Sequence, residues 1–195
     1  MENSNAITEK QSLEIIRNMI AKAKTRSSGD GTYFLVWGYL VLAASLIHFG
    51  AIKLGYEAYG GLAWILMAVG GGITGYLGYK EEKENQALSY ADHFMKHLWI
   101  GFSVSIFLIL FVCLSFEPKL TYPMILVLFG IGTYVSGGAL EFRPLRFAGL
   151  ICWILALVSV YLSFENQLLI LALDVVLAFI IPGHWLLNQV KSEKI

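Results

Sequence analysis

Asp174 is the only Asp, Glu, Lys or Arg inside any of the long apolar stretches of this sequence. An ionisable group in such a setting is costly, and it marks either a buried hydrogen bond to a Tyr, Ser or His or a pathway for protons or ions. His48 lies in another apolar stretch at a broadly similar distance from its end. Geometry therefore allows a His48 to Asp174 contact if the two segments touch, and the pair are the candidates for proton or ion coupling. His93 and His97 form a second constellation. Four residues apart, they share one helical face, as in many metal sites, and Glu141 and His184, with Asp92, are candidates to complete the ligand set. Polar anchoring of a helix end is the simpler reading of the same pair. Small residues four apart, Gly71 with Gly75 and Gly132 with Ser136, let helix backbones approach closely and are read as helix-packing positions.

Other chemistries find less support. The glycines lie within apolar runs and no Lys-Ser or Lys-Thr follows them, so they do not form a phosphate-binding loop. No Gly-x-Ser-x-Gly or His-Glu-x-x-His pattern occurs. Glu81-Glu82 starts like the glutamate pair of CAAX-type intramembrane proteases, but the Arg expected after it is missing. The chain is expected to be no enzyme and to need no cofactor.

The elements that position these residues follow from composition. Apolar residues make up 57% of the 195 and charged ones only 14%, against roughly a quarter charged in a soluble domain. Too few charges remain to cover a water-facing surface. A bilayer core of about 30 Å needs roughly 20 helical residues, and the stretches 33–52, 60–79, 97–116, 120–140, 147–164 and 167–187 meet that need. The expected fold is all-α and polytopic: six transmembrane helices as three antiparallel hairpins (1 with 2, 3 with 4, 5 with 6) over 33–187, between a cytoplasmic segment 1–32 and a tail 188–195. Pro182-Gly183 interrupts the last stretch and reads as a helix stop, or as a break facing a vestibule with His184 and Glu141. Leu114-Ser115-Phe116-Glu117 with Leu120 recurs as Leu162-Ser163-Phe164-Glu165 with Leu168, a faint sign of duplicated hairpins.

Charge sets the direction. Of 14 Lys and Arg, all but Lys53 and Lys119 fall before the first stretch, in the second and fourth connections, or in the tail. Basic residues stay on the cytoplasmic side, so both termini are expected in the cytoplasm and the protein in the cytoplasmic (inner) membrane. No cleaved signal is expected, because the first apolar run starts only near Tyr33. Cys113 and Cys152 lie in different stretches at opposite depths and read as free thiols. The zero formal charge gives no reason to propose nucleic acid.

Residues 8–26 read as an amphipathic helix, with Leu13, Ile16, Ile20 and Ala23 at helical spacing and a capping box from Thr8 to Gln11. It either lies on the anionic inner leaflet or docks a membrane or cytoplasmic partner, or a second copy of the chain. Ser12-Leu13-Glu14-Ile15-Ile16 and Met19-Ile20, followed by Phe34-Leu35-Val36-Trp37-Gly38-Tyr39 and closed by Ile180-Ile181-Pro182-Gly183-His184, resemble a family of small uncharacterised multi-pass bacterial inner-membrane proteins. The resemblance spans most of the chain. It implies the same topology and carries no activity or site residue. The first expectation is thus a non-enzymatic membrane module, a subunit of a complex or a regulatory or sensory protein. The alternatives are a small proton- or ion-coupled transporter or channel using Asp174 and His48, and an intramembrane metalloenzyme built on His93, His97 and Glu141.

Overall fold

The computed structural model describes residues 31–84 and 90–192, leaving aside the side chains of 84, 90–92 and 190–191. The amphipathic helix expected at 8–26 and the last residues of the tail lie outside the described residues. Every regular element among the described residues is helical: α1 (Thr32–Lys53), a short α2 (Glu57–Gly60) running through a 3-10 turn (Gly61–Ile65) into α3 (Leu66–Glu84), α4 (Tyr90–Phe116), a 3-10 turn (Pro118–Leu120), α5 (Thr121–Ala139), α6 (Arg143–Ser159), α7 (Phe164–Val175), a π-turn (Val176–Ile180) and α8 (Ile181–Ser192). Five stretches are long and apolar enough to cross a membrane: Thr32–Lys53, Glu57–Lys83, His93–Phe116, Pro118–Ala139 and Phe164–Gln189.

Several boundaries differ from the expected ones. The stretch 147–164 is helical from Arg143 to Ser159, because Pro144 sits in the first turn, where its missing N–H costs nothing. The apolar run continues through Val160, Tyr161 and Leu162, which hides the turn, and Phe164 opens the next helix behind an extended Ser163. Pro182 does not stop the last helix. It lacks an N–H and would crowd the carbonyl of Ala178, four residues back, and the wide turn Val176–Ile180 ahead of it lets the helix run on to Ser192. The two Leu-Ser-Phe-Glu copies are not equivalent in structure: Leu114 to Phe116 end α4, whereas Leu162 and Ser163 lie in the turn before α7.

The tightest helix pair is α5 with α6, across the connection containing Glu141, rather than across one of the expected hairpins. Glycine makes this possible. A Cβ on Gly149 of α6 would come within 2.8 Å of the Tyr134 backbone nitrogen and 2.9 Å of the Gly130 carbonyl oxygen, and one on Gly137 of α5 within 2.6 Å of the Arg146 nitrogen. Against this pair, α1, α7 and the π-turn build the core around Leu126, Phe129, Leu145, Leu168, Leu171, Val175 and Phe179. A chain of rings crosses it, from Phe102 over Phe129 (5.7 Å) to Phe179 (5.0 Å) and Phe34 (5.8 Å).

The two remaining helices are peripheral. Among the long helices α3 packs chiefly against α1, and α4 chiefly against α5. Only 17% and 11% of their apolar windows are buried, against 61% and 56% for Pro118–Ala139 and Phe164–Gln189.

Candidate functional site

Three places gather polar chemistry. The first lies at the end of the bundle that carries Lys53. His48, in the last turns of α1, is buried among Trp64 of the 3-10 turn, Tyr122 of α5 and Phe164 of α7. The Trp64 indole N–H donates to Nδ1 of His48 at 3.1 Å, and the Tyr122 hydroxyl lies 3.3 Å from the same nitrogen. An indole nitrogen can only donate, so Nδ1 carries a lone pair, the ring proton sits on Nε2, and Tyr122 also donates. Gly60 closes the other edge of the ring: a Cβ there would lie 2.9 Å from Nε2. Around this box, Lys53 pairs with Glu165 at 2.8 Å. The Gln167 side-chain amide donates to the carbonyls of Ser159 and Lys119, both at 3.0 Å, and so ties two turns to α7.

The second place is Asp174, in the middle of the core. Its side chain is wholly buried, and neither carboxyl oxygen has a hydrogen-bond partner among the described residues. The Cys152 thiol of α6 lies against it without completing a well-aligned hydrogen bond. The Thr133 and Ser136 hydroxyls of α5 are likewise buried without a partner. The candidate His48 to Asp174 hydrogen bond is absent. His48 sits one to two turns from the end of its helix and is taken up by Trp64 and Tyr122, whereas Asp174 lies deeper, facing α6. Cys113 and Cys152 are free, as expected.

The third place is at the opposite end. His93 and His97 stack with ring centroids 4.4 Å apart, and Nδ1–H of His97 donates to the His93 carbonyl at 2.8 Å. The expected ligand set does not assemble around them. Nε2 of His184 is hydrogen-bonded to the Tyr39 hydroxyl at 3.0 Å, on the α1 side. Glu141 sits in the α5–α6 turn with φ 52, and no group of three or more His, Cys, Asp or Glu able to hold a metal occurs among the described residues. The Asp92 side chain lies outside the described residues.

Of the expected packing positions, Gly132 faces Phe102 of α4, with a Cβ 3.1 Å from that ring, and Ser136 is buried. Among the described residues Gly71 and Gly75 pack against no other element, since a Cβ on either meets nothing within 4 Å. Gly70, one residue earlier, is the position of α3 that faces α1, against Leu40 and Trp37. Sequence reasoning missed Gly60, Trp64, Tyr122 and Gln167. For Trp64, Tyr122 and Gln167 the one visible signal is polar or aromatic character close to the expected ends of apolar runs, and for Gly60 there is none.

Fold and site define, among the described residues, an all-helical protein with five helices long and apolar enough to cross a membrane. Compared with protein-family models, curated proteins and solved structures, the chain matches none.

Proposed function

We propose that the chain is a six-span protein of the bacterial cytoplasmic membrane with both termini in the cytoplasm. It acts as a non-enzymatic membrane module, either the membrane subunit of a complex or a regulatory or sensory protein, by packing α3 against another membrane helix. The supporting observation is the face of α3 that no other described residue covers, where a Cβ on Gly71, Gly72 or Gly75 meets nothing within 4 Å. Glycine in a helix costs about 1 kcal/mol relative to alanine, and lipid gains nothing from the missing side chain. A second helix does gain, because backbones separated only by hydrogens pack closely. The partner is a membrane protein or a second copy, and residues 8–26 are a further docking segment on the cytoplasmic side.

Six spans are supported by α6. Its 17 residues reach about 25 Å at 1.5 Å each, at the short end of the range for membrane helices. The even number agrees with the Lys and Arg distribution, which keeps both ends on one side. Gently solubilised wild-type protein is expected to carry a partner or to self-associate, and Gly71→Leu with Gly75→Leu to abolish this while the helical content stays unchanged. Association that survives both substitutions, or none in the wild type, would refute the reading.

One observation favours a second reading, proton- or ion-coupled transport. Asp174 is buried without a hydrogen bond two residues before a π-turn, and such turns occur often at functional sites. Asp174→Asn would then abolish proton or cation flux in reconstituted vesicles with the fold intact, and equal flux in the variant would discard it.

A further inference from the structure

The contacts of His48 form a latch that only the neutral ring can close. Nδ1 takes the Trp64 N–H at 3.1 Å and faces the Tyr122 hydroxyl at 3.3 Å. The ring is wedged between Trp64 (centroids 6.4 Å) and Phe164 (6.0 Å), and the Gly60 backbone lies on its Nε2 edge. Three elements that are separate in sequence thus meet on one imidazole: the 57–65 connection, α5 and α7.

We propose that His48 is a proton-binding site that releases the 57–65 connection from α1 on acidification of the compartment facing Lys53. On the topology proposed above, that compartment is the cell exterior or periplasm. A proton arriving at Nδ1 turns that nitrogen from acceptor into donor. Tyr122 adapts by rotating its hydroxyl and accepting. Trp64 cannot, because its only polar group is an N–H, and two hydrogens then point at each other. Acid therefore breaks the Trp64 contact selectively, and base restores it.

The site is placed for this. His48 keeps 8% of its surface accessible at this end, whereas Asp174 keeps none. The other ionisable side chains on the elements at this end are Tyr122 on α5, Glu165 on α7, Lys53 on α1, Glu57 and Tyr59 on α2 with Tyr56 just before it, Tyr161 in the α6–α7 turn, and Glu117 and Lys119 in the α4–α5 turn. Lys53 and Glu165 neutralise each other at 2.8 Å. Tyr122 is the only ionisable group hydrogen-bonded to His48 among the described residues. The connection itself is lightly held, a four-residue helix and a 3-10 turn in which Gly60 and Ala63 are the only buried residues. The Trp64 indole supplies its side-chain hydrogen bond to α1.

The test is hydrogen exchange of the full chain in lipid nanodiscs between pH 8 and pH 5, corrected for the intrinsic pH dependence of exchange. Protection of residues 57–65 is expected to fall at least tenfold with acid in the wild type. It should stay constant in His48→Gln, whose amide oxygen accepts from Trp64 without titrating. Trp64→Phe, which keeps the ring and removes the donor, should show low protection at every pH. A wild type whose protection is pH-independent overturns the proposal, as does an acid step retained in Trp64→Phe. Trp64→Phe decides the matter alone if His48→Gln does not fold.

Discussion

Gly60 and His48 touch backbone to ring: a Cβ at residue 60 would lie 2.9 Å from the imidazole Nε2. The neighbouring Gly61 has nothing within 4 Å. Gly60→Ala is therefore expected to destabilise the folded chain by about 1–3 kcal/mol through overpacking, and Gly61→Ala to be neutral or slightly stabilising. Reversible unfolding of the two variants in mixed micelles measures the difference, and equal stabilities would mean that the ring does not sit against Gly60.

Gln167 is buried in α7 and spends its amide hydrogens on the Ser159 and Lys119 carbonyls. Those carbonyls belong to two different turns, so one side chain fixes both. Gln167→Leu keeps the volume and removes both bonds. It is expected to lower stability by about 1–2 kcal/mol, given the modest value of each hydrogen bond between membrane helices, and to raise hydrogen exchange at 117–120 and 160–163. Unchanged exchange there would contradict the role.

Asp174 gives the opposite sign. A buried carboxyl without a partner pays its desolvation cost uncompensated. Asp174→Leu is expected to stabilise the bundle by about 1–3 kcal/mol. A stability loss of that size would show that the carboxyl has a binding partner, such as a cation, in the native membrane.

The α5–α6 interface tests the packing. Gly149→Leu places a side chain against the Tyr134 nitrogen and the Gly130 carbonyl oxygen, backbone atoms that cannot yield. A loss of about 3 kcal/mol or more is expected, whereas Gly138→Leu, with nothing within 4 Å, should be tolerated. Thermal aggregation temperatures of the pair would separate the two cases.

Much of this architecture was legible in the sequence, and the reasons lie in particular residues. Lengths of apolar run announced the long helices, because backbone groups in lipid find partners only within a helix. The same signal could not see the turn at Val160 to Ser163, where the run stays apolar, nor the 3-10 start of the Glu57–Lys83 stretch. Asp174 stood out because it is a lone charge in an apolar segment. Its separation from His48 depends on which faces of α1 and α7 meet, and all-round apolar helices carry little record of that. The glycines are a related case: spacing singles out Gly71 and Gly75, which meet no other described residue, whereas Gly70, Gly130, Gly132, Gly137 and Gly149 are positions another described element fills. Nothing in the spacing of Trp64 and Tyr122 links them to His48, and only the folded chain brings their donors onto one imidazole nitrogen.

The most direct measurement concerns sidedness. Fusing a phosphatase active only outside the cytoplasm, and a fluorescent protein active only inside it, to each terminus in turn should give fluorescence and no phosphatase activity at both ends. Phosphatase activity at the C-terminus alone would mean that α6 does not cross and that five spans, not six, make up the protein.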